Sequence, residues 1–155
     1  MQFIYQRKII LEKLNIPIVL EKGAEVPVYA TPQSAGADVK CLESFTLNPG
    51  DRKLVPTGIK IAVPDGYECQ VRPRSGLAVK HGITVLNAPG TIDADYRGEC
   101  CVLLINMGDK PYNFEKGERI GQFVISPVVQ ADWSVTASLD ETERGEGGFG
   151  HTGKK

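Results

Sequence analysis

Apolar residues in this chain come in short runs broken by glycine and proline, the punctuation of strands and turns. The first compact run is I-P-I-V-L (Ile16 to Leu20); Lys22-Gly23 follows, and Pro27 and Pro32 interrupt what comes next. Val39 to Leu47 alternates loosely and stops at Asn48-Pro49-Gly50-Asp51, a strong turn sequence. Lys53 to Val63 alternates around Pro56 and Gly58, and Pro64-Asp65-Gly66 makes the next turn. Tyr67 to Val71 and Ile83 to Leu86 are further strand candidates, with the break P-R-S-G (Pro73 to Gly76) between them. Cys100 to Ile105 is apolar on both period-2 faces, so that strand should be buried on both sides, between two sheets or against another subunit. Phe123 to Val129 reads the same way, and turns at Gly108-Asp109 and Lys116-Gly117 keep the intervals short. Strands at roughly 8–12-residue spacing, with no long helical pattern, predict an all-β sandwich or barrel.

The two ends depart from this pattern. Residues 1 to 14 mix charge with apolar side chains and read as a short helix or an extra strand, so residues 1–15 are set apart as an N-terminal extension. The β domain spans residues 16–140. After it, D-E-T-E-R-G-E-G-G-F-G-H-T-G-K-K has almost nothing to bury, and residues 141–155 are expected to form a flexible glycine-rich arm.

Composition narrows the function classes. A chain of 155 residues, 41% hydrophobic, fits one domain with a sizeable core. Its net charge of −1 offers no global attraction to nucleic acid or anionic membrane, and neither is expected as a partner. Arg7, Lys8, Glu12 and Lys13 interrupt the N-terminal apolar stretch, which excludes a signal peptide, and no apolar run is long enough to predict a membrane helix. Cys41, Cys69, Cys100 and Cys101 form no C-x-x-C pair. They read as reduced, mostly buried thiols, the state expected in a cytoplasmic protein.

Five clusters carry candidate chemistry. The richest is N-A-P-G-T-I-D-A-D-Y-R-G-E (Asn87 to Glu99), which puts Asp93, Asp95, Tyr96 and Arg97 on a hairpin-like loop anchored at both ends. An isolated D-x-D is also ordinary turn chemistry. S-A-G-A-D (Ser34 to Asp38) is small residues leading into an aspartate, or simply a strand entered through a tight turn. P-R-S-G-L-A (Pro73 to Ala78) offers charge, a hydroxyl and a glycine, which suits a phosphate and equally suits a plain β-turn. G-E-R-I-G-Q (Gly117 to Gln122) is a charged turn entering an apolar strand. In the arm, glycines with Arg144, His151 and Thr152 could wrap a polyphosphate, and Phe149 has nothing local to pack against, so stacking on a nucleobase is a natural use for it. The nearby G-F-G-H-T-G-K falls short of a P-loop, since Lys155 stands where the hydroxyl belongs and no helix can follow.

Taken together and in order, from about Ile16 to Gly153, these clusters resemble the trimeric, all-β deoxyuridine triphosphatase (dUTPase) family. The resemblance implies a distorted jelly-roll subunit, a homotrimer with shared active sites at subunit interfaces, and Mg²⁺-assisted cleavage of dUTP to dUMP and pyrophosphate. It implies Asp93 as the general base that activates water at the α-phosphorus, a task suited to a carboxylate ionised at neutral pH. Tyr96 would lie under the deoxyribose and exclude a 2′-hydroxyl. Asn87 and the backbone at Cys101 would read uracil, with Gly90, Thr91 and Ile92 setting Asp93 against the sugar. Arg74, Ser75 and Gly76 would hold the phosphates, Gln122 would help position them, and Asp38 would sit near the metal's water shell. Arg144, Phe149, Gly150 and Thr152 would close the arm over a neighbouring subunit's site. The alternatives are a dCTP deaminase or deaminase–hydrolase of the same fold, and a non-catalytic regulatory trimer.

Overall fold

The computed structural model describes residues 13–148. Twelve strands and one helix are found among them. In order they are β1 (Ile18–Leu20), β2 (Val28–Tyr29), β3 (Ala37–Lys40), β4 (Phe45–Leu47), β5 (Arg52–Val55), β6 (Ile59–Ile61) and β7 (Tyr67–Arg72). Then come α1 (Ser75–His81), β8 (Ile83–Val85), β9 (Gly90–Ile92), β10 (Val102–Asn106), β11 (Tyr112–Phe114) and β12 (Arg119–Pro127). The all-β expectation holds, with every strand pair antiparallel.

A five-stranded sheet in the order β2-β3-β12-β7-β9 and a three-stranded sheet in the order β5-β10-β8 form the bulk, with the pairs β1-β6 and β11-β4 completing it. One hydrophobic cluster draws on all of these, including Leu47, Val55, Ile59, Val102, Phe114 and Ile120. The two larger sheets approach closely at Gly121 of β12, where an added Cβ would lie 3.4 Å from Val102 of β10. Asn106, fully buried at the end of β10, donates to the carbonyls of Leu47 and Lys110, each at 2.9 Å, and accepts from the Gly108 N–H at 2.8 Å. A buried amide satisfied on both sides fixes the β10–β11 turn instead of weakening the core.

Two expectations are corrected. Pro73 to Gly76 is not a simple break, because Ser75 opens helix α1. Seven residues with one buried apolar side chain, Leu77, leave too little periodicity to detect. Gly82 ends the helix in the left-handed region at φ 68°, with its N–H returned to the Ala78 carbonyl, and Lys80 and His81 lie in the last turn. Second, the last strand starts at Arg119, four residues ahead of its apolar run, because a bulge between Arg119 and Gly121 absorbs the irregular start. Within this chain, Cys100 to Ile105 is covered more fully on one face than on the other. Cys100, Val102 and Leu104 are at most 2% exposed, whereas Cys101, Leu103 and Ile105 are only half-buried by this chain.

Candidate active site

The Asn87-to-Glu99 stretch folds against β7 and β10 to make an open cleft of about 300 Å³. Asn87, Gly90, Asp93, Tyr96 and Cys101 all line it, together with the apolar walls Leu54, Val71 and Leu103. Each is held by local structure. The β8–β10 ladder runs one residue beyond β8, with the Leu86 N–H on the Leu103 carbonyl at 2.8 Å, and this delivers Asn87 to the cleft. Gly90 pairs with Val71. A Cβ there would lie 3.1 Å from Asn87 Nδ2 and 3.2 Å from Val71 Cβ, so a side chain would crowd the floor.

Beyond β9 the chain turns sharply, with the Tyr96 N–H on the Asp93 carbonyl at 3.1 Å. Arg97 donates from Nη1 to the carbonyls of Ala94 and Tyr96, which helps to close this turn. The Tyr96 phenol folds back over Gly98, where any Cβ would collide with it, and donates to the Glu99 carbonyl at 3.1 Å. Glu99 is itself anchored by the Gly58 N–H at 2.7 Å. Burial, with the Glu99 charge adding to it, pushes the Cys101 thiol above its ordinary value, so it stays a neutral wall of the cleft. Sequence reasoning missed Leu54, Val71 and Leu103, which carry no motif of their own. Only the pairing of β5 and β10, placing Leu54 opposite Leu103, reveals two of them.

The phosphate candidates gather elsewhere. Asp38 on β3 accepts from Arg74 Nε at 3.1 Å through one oxygen and from Arg119 Nη1 at 2.9 Å through the other. Gln122 on β12, opposite Asp38, donates its amide to the Pro73 carbonyl at 2.9 Å and so ties down the residue before Arg74. Gly36 leaves room for that amide, since a Cβ there would collide with it. Ser75 and Gly76, in the first turn of α1, are exposed, and nothing lies within 4 Å of a Cβ built on Gly76.

None of Asp38, Arg74, Ser75 or Gln122 lines the Asp93 cleft. Asp38 is three strands from β9, which sets it about 14 Å away across the strands alone. Within one chain the two groups of candidate residues therefore do not share a pocket. Arg144 is exposed and donates to the Gly147 carbonyl at 2.7 Å; Phe149, Gly150 and Thr152 lie outside the described residues. Among the described residues no group of three or more His, Cys, Asp or Glu could hold a metal, and no helix is long and apolar enough to cross a membrane.

The sequence profile of the dUTPase family matches residues 22–153. The chain belongs to the dUTPase family. It is 54% identical over 146 residues to the deoxyuridine 5′-triphosphate nucleotidohydrolase of Fusobacterium nucleatum subsp. nucleatum, covering 93% of this chain and 100% of that protein. It is 61% identical over 137 residues to the enzyme of the same name from Chlamydia pneumoniae, covering 86% of this chain and 94% of that one. Among solved structures it resembles a dUTPase mutant of Staphylococcus bacteriophage 80alpha bound to dUpNHpp. The TM-score is 0.84 and the identity 25%, over 91% of this chain and 99% of that one.

Proposed function

We propose that this dUTPase-family chain hydrolyses dUTP to dUMP and pyrophosphate, limiting uracil in DNA and supplying dUMP for dTMP synthesis. The observation that carries the reading is the cleft where Asn87, Asp93 and Tyr96 converge over a floor kept bare by Gly90. An amide both donates and accepts, which suits the uracil edge. With Tyr96 held by Gly98 and Glu99, its ring forms a fixed surface under a deoxyribose and leaves no space for a 2′-hydroxyl. Asp93 then takes a proton from a bound water as that water's oxygen forms a bond to the α-phosphorus. The bond from that phosphorus to the α,β-bridging oxygen breaks, and pyrophosphate leaves with its electron pair.

The phosphates fall to Arg74, Ser75 and Gly76 of a different copy, with Gln122 acting through Pro73. The separation of the two halves within one chain supports a homotrimer of distorted jelly-roll subunits with shared sites. So do the half-covered β10 face and the exposure of Trp133, Val135 and Leu139 beyond β12, which are 89%, 100% and 87% exposed. Magnesium fits this donor set. A hard cation that keeps its waters needs no all-protein cage, and the triphosphate oxygens would hold it, with Asp38 reaching it through water. When bound, it neutralises charge on the triphosphate. Arg144, Phe149, Gly150 and Thr152 complete the site as a lid, and the reduced thiols fit a cytoplasmic setting.

Pyrophosphate release from dUTP, with dTTP, dCTP and UTP as controls, tests the reading. Release from dUTP alone is expected. Ammonia release from dCTP at a comparable rate overturns it in favour of a deaminase, and absence of any turnover favours a regulatory trimer.

A further inference from the structure

Arg119 has no assigned part in the site, yet its side chain bonds the same carboxylate as Arg74. Regular alternation along β12 would place it on the opposite face from Gln122, pointing into the core. The bulge prevents this. Ile120 and Gly121 are consecutive and both buried, so the extra residue turns Arg119 back to the face that carries Asp38, Lys40 and Gln122. Gly121 permits the tight packing this needs, since a Cβ there would lie 3.3 Å from the Arg72 carbonyl oxygen.

The result is one carboxylate shared by two guanidiniums. Asp38 is 18% exposed, and each of its oxygens is taken by a different arginine. Arg74 reaches Asp38 through Nε and donates a longer hydrogen bond from Nη1 to the Arg119 backbone carbonyl at 3.4 Å, which leaves Nη2 without a partner among the described residues. Left with one partner, the Asp38 carboxylate could rotate and carry Arg74 with it; with Arg119 on the second oxygen it is pinned.

We propose that Arg119 is a positioning residue that holds Asp38 and, through Asp38, fixes Arg74 in the orientation that meets the triphosphate. The proposal rests on the reading of Arg74 as a phosphate ligand. It differs from a direct phosphate contact by Arg119, which would act independently of Arg74.

The test is a double-mutant cycle on the full chain with dUTP, using Arg119→Gln, Arg74→Gln, the double variant and Arg119→Lys. Arg119→Gln should raise KM roughly tenfold, the scale of a weakened hydrogen bond to a charged group, with kcat changed by less than about twofold. The same substitution should cost nothing further in the Arg74→Gln background. Arg119→Lys, which keeps one charged hydrogen bond to Asp38, should restore most of the affinity, and Arg119→Met, which keeps the stem but not the charge, carries the same cycle should Arg119→Gln fail to fold. Additive effects of the two substitutions, or an unchanged KM in a folded Arg119→Gln protein, overturn the proposal. An unchanged KM in Arg74→Gln overturns instead the phosphate role of Arg74 itself.

Discussion

Asp93 and Asp95 are both exposed and lie two positions apart, but only Asp93 lines the cleft with Asn87 and Tyr96. Asp93→Asn removes the proton acceptor while keeping the shape and the backbone turn, so folding and nucleotide binding should persist. Pyrophosphate release should fall by roughly 10²–10⁴-fold, the usual weight of a general base, and a variant turning over near the parent rate refutes the assignment. The buried thiols make a separate prediction. Burial pushes Cys69 up to about 12 and Cys100 up to about 11, from an ordinary 9.0. A folded-state value above the unfolded one means that the unfolded chain surrenders its protons first. The stability held below pH 9.0 is therefore lost as pH climbs towards those two values. Urea midpoints should drop between about pH 8 and about pH 10, and replacing Cys69 and Cys100 with alanine should flatten the drop. A midpoint in the parent that does not move across that range contradicts the burial.

At the scale of elements, the turns were the most readable part of the sequence. Asn48 to Asp51 and Pro64 to Gly66 fall between strands as their residue types dictate, and β7 differs from its apolar run only by gaining Arg72. Helix α1 was hidden because a seven-residue segment anchored by Leu77 has no pattern to show, and the bulge in β12 was hidden because two-to-one pairing depends on the partner strand. The site divides along the same line. The cleft residues are close in sequence and could be seen together, whereas the link from Asp38 to Arg119 spans 81 residues and exists only in the sheet. The arm was legible as composition, and its role is testable as an element. Residues 130–146 are exposed and contribute nothing to the core, so truncation before Arg144 should leave the unfolding transition unchanged. On the proposal that the arm closes over substrate and excludes bulk water, turnover should fall strongly; unchanged activity removes the lid from the mechanism.

The whole molecule poses a question that no single substitution answers, namely whether Asp93 and Arg74 of one working site come from one chain or two. Their placement favours two: Arg74 follows the C-terminal end of β7 and Asp93 the C-terminal end of β9, and because those neighbouring strands are antiparallel the two residues leave the pair at opposite ends. Asp93→Asn alone and Arg74→Gln alone should each be nearly inactive as homo-oligomers. Co-refolded in equal amounts, they form mixed assemblies in which each shared site draws its two halves from different copies at random. About a quarter of the sites then pair an intact Asp93 with an intact Arg74, so activity should return to about a quarter of the parent level. If both residues served within one chain, every chain would carry a defect and mixing would restore nothing. Light scattering on the same sample should show a trimer, and the two readings are linked: a monomer cannot exchange halves, so recovered activity without association is physically inconsistent. Recovery near a quarter locates the active site between subunits.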